Sequence, residues 1–160
     1  MPELINRVGF LASTGRVLLS CHSQGAAIGA AVVNQLTYGQ SARVAFLTYG
    51  APLRRLYAPF FPAYFGPPML ARTGDVLLCG RADPQHRVVP WRNLFRRSDP
   101  IGGAVFGDDA SDPVDELLID PAFARPPGDI AYPPMLGHSH YSDDPGWPDV
   151  VKTVKDLRPL

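Results

Sequence analysis

The sequence predicts an α/β protein, a short parallel sheet flanked by helices and joined by long Pro/Gly-rich loops. Two observations carry this. Residues 16–20 (RVLLS) and 42–49 (ARVAFLTY) are apolar runs without polar alternation, the pattern of strands buried on both faces. Between them, residues 24–37 are crowded with small side chains (Gly25, Ala26, Ala27, Gly29, Ala30, Ala31), as suits a helix lying close to a sheet. Strand, helix, strand in that order argues for parallel pairing through a helical crossover.

The remaining elements follow in order. Leu4, Ile5, Val8 and Leu11 recur at helical spacing, which predicts a short amphipathic helix over residues 3–13, broken by Ser13-Thr14-Gly15. The strand over 42–49 ends at Gly50-Ala51-Pro52, and an aromatic-rich insertion follows over residues 53–65. Residues 91–96 (WRNLFR) read as a third strand, ending at Ser98-Asp99-Pro100. The Gly/Pro/Asp-rich stretch 101–137 reads as a meandering loop with little regular structure, and residues 148–157 as a last helix. Neither a repeat nor a low-complexity tract divides the chain, so residues 1–160 read as a single domain.

Composition narrows the function classes. Fifteen Lys and Arg balance fifteen Asp and Glu, giving a formal net charge of +0, so no global field favours nucleic acid or anionic lipid. Cys21 and Cys79 make no disulfide framework and have no metal-ligand spacing; two free thiols in a reducing, cytoplasmic setting is the simplest reading. Residues 1–15 include Glu3 and Arg7 and lack a long apolar centre, so they do not read as a signal peptide. No run of 18 apolar residues exists, and by itself the chain is not expected to span a membrane.

The chemistry concentrates in residues 17–25, where a buried strand runs into a serine and straight on into a small-residue helix (VLLSCHSQG). This is the pattern of a nucleophile elbow, G-x-S-x-G, with Ser23 as the nucleophile. The turn lifts the hydroxyl to the carboxyl end of the strand, against the positive end of the helix dipole. Gly25 fits the downstream small position; Cys21 stands where the upstream glycine is expected. The plainer alternative is a polar strand-to-helix turn capped by Ser23.

The segment His22-Ser23-Gln24-Gly25-Ala26 resembles the elbow of lipases, esterases and thioesterases of the α/β-hydrolase superfamily. That resemblance implies His22 is an elbow residue beside the nucleophile and not its base, because adjacent side chains on a sharp turn point apart. Chain order in this fold is nucleophile, acid, histidine. Asp99, just past the third strand, sits where the acid is expected, and the turn 97–102 (RSDPIG) resembles that of class 3 lipases, an Asp followed by Pro and an aliphatic residue. Asp108, Asp109, Asp112 and Asp115 are rivals in a charged loop with no strand to deliver them. For the base, His86 precedes the acid strand, the wrong order, leaving His138 and His140 in the loop 137–145. Class 3 lipases show a similar histidine, two residues, then tyrosine, which matches His138 and Tyr141; His138 is preferred, with His140 the alternative.

The resemblance also extends to uncharacterised bacterial proteins with lipase-like C-terminal domains, through residues 48–57 (TYGAPLRRLY), 60–65 (FFPAYF) and 91–94 (WRNL). It implies an incomplete α/β-hydrolase, the C-terminal portion of the fold, and membrane association through transmembrane helices ahead of the hydrolase half. A full fold places several strands before the elbow, with a loop there giving one of two oxyanion donors. Gln24 N–H can be one; no candidate for the second is apparent. A fragment, a partner that supplies the rest and a degraded relative remain open. In each, the first strand has one unpaired edge, expected to pair with a second copy or with an absent N-terminal portion, the plainer alternative being that residues 1–13 or the loop 101–137 fold back over it.

Tyr57, Phe60, Phe61 and Tyr64 read either as an acyl pocket or lid, or as a satellite core under a long loop. Arg54 and Arg55 beside them can meet an anionic head group or form a solvated face. The function expected is hydrolysis of a small-molecule or lipid ester, or of a thioester, with no metal and no organic cofactor. The alternative is an inactive α/β-hydrolase remnant that acts as an interaction domain.

Overall fold

The computed structural model describes residues 1–78, 88–107, 112–123, 128, 131 and 133–156. Its centre is a four-stranded, all-parallel sheet in the order β1-β2-β3-β4, formed by Val17–His22 (β1), Val44–Tyr49 (β2), Trp91–Phe95 (β3) and Asp115–Leu117 (β4). Val17 pairs with Val44, Phe46 with Trp91 and Asn93 with Asp115, so all carboxyl ends lie on one side. The general α/β class read from the sequence is therefore the observed one.

Helices cover both faces. Alternate strand residues Phe46 and Trp91 pack with Val8 and Ala12 of α1 (Pro2–Thr14), Ala26, Ala30 and Val33 of α2 (Gln24–Val33), and Leu70 and Leu77 of the long helix Pro67–Leu78. On the other face Ala45, Leu47 and Leu94 pack with Tyr141 and with Val150 and Val154 of the C-terminal helix Trp147–Asp156. Small residues let α2 sit very close: a Cβ added at Gly29 would stand 2.7 Å from Phe46 and 2.8 Å from the Cys21 sulfur.

Several expectations need correction. The helix expected over 24–37 stops at Val33, because Asn34 turns its amide onto the Ala30 carbonyl at 3.0 Å and onto Thr73 Oγ1 at 2.8 Å. The stretch 101–137 contains β4, whose residues 115–117 complete the sheet beside β3. The insertion is helical: a π-helical turn, Leu53–Tyr57, leads into the short helices Ala58–Phe60 and Pro62–Phe65. Residues 67–78, given no element by the sequence reading, form a twelve-residue helix whose Pro-Pro start suits a first turn that needs no N–H partner. Finally, β1 is covered only in part: Val17 and Leu19 pack against the core on one face and Leu18 on the other. Val17, Leu18 and Leu19 are half-buried and Ser20 is exposed, since β1 is the sheet edge and only β2 pairs with it among the described residues.

Candidate active site

At the end of β1 the chain reverses into α2 through Ser23, whose backbone has φ 54° and ψ −126°. For a residue with a Cβ this conformation costs of order 1–3 kcal/mol and persists only where the surroundings impose it. Here the Ser23 N–H donates to the Tyr49 carbonyl at 3.0 Å, the Ser23 carbonyl accepts from Ala26 N–H at 2.9 Å, and α2 begins at the next residue. Gln24 is thus the first residue of α2, where a backbone N–H has no acceptor inside the helix.

Cys21 occupies the upstream small position without strain. Its Cβ would lie 3.9 Å from a Cβ built at Gly25, an ordinary contact, while its sulfur lies beneath Gly29. The tightest approach of helix to strand is therefore at Gly29, one turn further on than the elbow pattern suggests. Burial pushes the Cys21 thiol up to about 11, so the thiolate is scarce at neutral pH.

His138 Nε2 lies 2.8 Å from Ser23 Oγ, and His138 Nδ1 lies 2.9 and 3.0 Å from the two carboxylate oxygens of Asp99. An acceptor-only carboxylate fixes the proton of neutral His138 on Nδ1, leaving Nε2 to accept from the Ser23 hydroxyl. The histidine is delivered by Gly137, whose positive φ of 54° reverses the chain just before it. His140 is exposed and pairs instead with Asp143 at 2.8 Å. His86, Asp108 and Asp109 lie outside the described residues. Asp115, expected in a loop, opens β4 and is buried; its carboxylate accepts from Asn93, Val105 and Phe106, and it is a structural anchor. Asp112 accepts from Val114 N–H at 2.8 Å.

Asp99 is almost fully buried, at 1% exposure. Burial by itself pushes its carboxyl up. Hydrogen bonds from His138, from the N–H groups of Gly102 and Ile101, and from the Tyr141 hydroxyl outweigh that and hold it below the usual carboxylate range. The space around it is tight. A Cβ at Gly102 would stand 2.4 Å from the Gly50 carbonyl carbon and 2.6 Å from Asp99 Oδ2. Gly50 itself has a positive φ of 57°, and a Cβ there would stand 3.2 Å from the His138 ring.

A second ring of side chains holds this arrangement. Arg96, fully buried, donates to the Ser139 and His140 carbonyls at 2.9 and 3.2 Å and pairs with Asp144 at 3.3 Å. Its guanidinium carbon lies 4.5 Å from the centre of the Tyr141 ring. Buried Asp120 accepts from Ser98 in the acid turn and from Leu136 and Gly137 N–H in the histidine loop, joining the two. Arg55 Nη1 donates to the carbonyls of Asp99 and Gly102 at 2.7 and 2.8 Å. On the open side, His22 Nε2 meets the His138 carbonyl at 2.9 Å while its ring stacks on Tyr49.

No family model matches the chain, and no curated protein or solved structure matches it either.

The aromatic insertion divides. Tyr57 packs on Phe61 and Phe65 and joins the core, whereas Phe60, Phe61 and Tyr64 are exposed. Tyr64 lines a groove with Ala31, Gln35 and Phe65, near the C-terminal end of α2. Ser23 stands at the opposite end of that helix, so this groove does not border the serine. Arg96, Asp120 and Tyr141, the residues that hold the acid and the histidine loop, carry no role in the sequence reading. For Tyr141 a signal existed in the His-x-x-Tyr spacing. Arg96 and Asp120 act on carbonyls and N–H groups remote in sequence, and nothing local marks them. No helix among the described residues is long and apolar enough to cross a membrane.

Proposed function

We propose that this protein is a serine hydrolase that cleaves a carboxylic ester or thioester through an acyl-enzyme. One observation carries the reading: an unbroken line of hydrogen bonds runs from Ser23 Oγ through His138 to buried Asp99, with Ser23 held strained at the start of a helix. In this mechanism Ser23 Oγ attacks the carbonyl carbon as His138 Nε2 takes its proton. Asp99 keeps His138 in the required tautomer and stabilises the imidazolium. The oxyanion forms against Gln24 N–H at the positive end of α2. Collapse expels the alcohol or thiol, which leaves with the proton from His138; water then repeats the sequence on the acyl-Ser23 ester. Small-molecule and lipid esters are both compatible substrates.

The architecture fits a short α/β-hydrolase sheet open at β1, with one oxyanion donor assigned. Losing one of two donors costs about 10²–10³ in turnover in a well-studied protease, so turnover on this chain alone should be slow. That same open edge supports a second reading, a hydrolase remnant that serves as an interaction domain. Labelling with a fluorophosphonate separates the two. A covalent adduct on Ser23, lost in Ser23→Ala and slowed in His138→Ala, is expected of the hydrolase. A folded protein that takes no adduct would be the remnant.

A further inference from the structure

A cleft of about 290 Å³ lies where β3 leads into the acid turn, lined by Arg55, Phe95, Arg96, Arg97, Gly103 and Ala104. A second lobe of about 200 Å³, bounded by Arg54, Arg55, Gly103 and Ala104, adjoins it. Among the described residues no carboxylate lines either lobe. Arg96 is matched by Asp144. Arg55 spends one nitrogen on two neutral carbonyls, and among the described residues neither Arg55 nor Arg97 has a carboxylate within ion-pair distance. Two guanidinium charges thus border this cleft with no carboxylate partner among the described residues, in a protein whose formal net charge is +0.

The surroundings prepare Arg55 in particular. Its Nη1 is anchored by the Asp99 and Gly102 carbonyls, which fixes the plane of the guanidinium, and its other donors have no acceptor among the described residues. Gly103 puts no side chain against Arg55 Nε, where a Cβ would stand at 3.6 Å. A planar donor fork held in place, with a second arginine alongside, matches the oxygens of a phosphoryl or carboxylate group. Ser23 follows β1 and Arg97 follows β3, two strand spacings away on the same end of the sheet, about 10 Å. An ester can span that distance with a chain of several bonds.

We propose that this cleft binds an anionic oxygen group, phosphoryl or carboxylate, carried by the ester substrate on the side of the acid turn. The inference rests on Ser23 as the nucleophile only for its second half; the anion site itself does not need catalysis.

Two measurements test it separately. First, the Ser23→Ala protein is melted in rising inorganic phosphate or acetate, at constant ionic strength set with chloride. A Tm that climbs with the anion, and climbs much less in Ser23→Ala/Arg97→Gln, is expected, because a ligand that binds only the folded state raises its stability. A flat Tm in both anions would overturn the site. Second, hydrolysis is compared for a p-nitrophenyl ester with a terminal carboxylate and for its neutral methyl-capped counterpart. Arg97→Gln should raise KM about tenfold for the anionic ester, the size of one exposed charge-assisted contact, and leave its kcat and both constants for the neutral ester unchanged. Phosphate should compete with the anionic ester only. Equal effects of Arg97→Gln on both esters would overturn the assignment to substrate. Phosphate binding without hydrolysis of either ester would keep the anion site and overturn the hydrolase reading alone.

Discussion

His22 Nε2 donates to the backbone carbonyl of His138 at 2.9 Å, so the residue beside the proposed nucleophile also ties down the proposed base. The two rings lie 4.9 Å apart, and His22 is backed by Tyr49, whose own edge meets Trp147. This contact runs between the elbow and the histidine loop, segments 116 residues apart, and it constrains their spacing directly. His22→Ala removes one hydrogen bond at an exposed position, worth about 0.5–1.5 kcal/mol. The expected result is a drop of about three- to tenfold in the rate of Ser23 labelling, with little change in Tm. His22→Gln, which keeps a donor, should recover part of it. A loss confined to Tm, with labelling unchanged, would make His22 structural only.

Gly102 offers a sharper steric test. Its missing side chain lets the acid turn lie against Gly50 and lets Asp99 reach His138; a Cβ there would overlap both backbone and carboxylate. Neither neighbour is the free end of a flexible side chain, so the turn must move. Gly102→Ala should lower stability by about 1–3 kcal/mol, seen in urea unfolding, and slow labelling more than any surface substitution. Gly39→Ala, where an added Cβ meets nothing within 4 Å, is the control.

Acid stability follows from two buried carboxylates. Asp99 and Asp120 both have pKa values held below the ordinary carboxylate range, against the effect of burial, by hydrogen bonds to the ionised form. The unfolded chain therefore takes up these protons first, near the ordinary value of about 3.9. Their contribution is complete above that pH and is lost as pH falls from there through the lowered folded values. Unfolding free energy should be flat, as far as these groups are concerned, between about pH 7 and about pH 5, then fall below about pH 4. Asp120→Asn should lower the plateau and flatten the acid fall. An unchanged slope would mean that Asp120 titrates alike in both states.

How far the sequence led depends on the range over which each residue acts. Ser23, Asp99 and His138, which the structure brings together, were each marked locally: a strand running into an Ala/Gly helix, an Asp-Pro turn after a strand, a glycine before a histidine. β2 was legible as an apolar run, and β3 as a short stretch bearing Trp91, Leu94 and Phe95 that ends at the Ser98-Asp99-Pro100 turn. β4 was not, for it has three residues, two of them acidic, and is a strand only because β3 is beside it. The helix Pro67–Leu78 was legible in principle, with Leu70, Thr73, Gly74 and Leu77 buried at helical spacing behind two prolines. β1 misled because an apolar run reports what a strand prefers to contact, not how many neighbours it has.

Arg96 is the clearest case of a long-range role, and it gives the last prediction. In the run Leu94-Phe95-Arg96-Arg97 nothing separates the two arginines, yet Arg97 is exposed and Arg96 fully buried. Arg96 bridges two carbonyls and Asp144, and its face covers Tyr141, which donates to Asp99 at 2.8 Å. Lysine keeps the charge but cannot supply a planar fork to three acceptors, nor the flat face over the ring. Arg96→Lys should therefore cost about 1–3 kcal/mol, the range for leaving a buried hydrogen-bonding group without its partner. Removing charge on both sides, Arg96→Met with Asp144→Leu, should cost less in stability than Arg96→Met alone. Both should slow Ser23 labelling, since either way the carbonyls of Ser139 and His140 lose their donor and the histidine loop its anchor. Urea unfolding and fluorophosphonate labelling of the same four proteins measure the two effects apart. Full labelling in a destabilised Arg96→Lys protein would show that the histidine loop holds its place without the arginine.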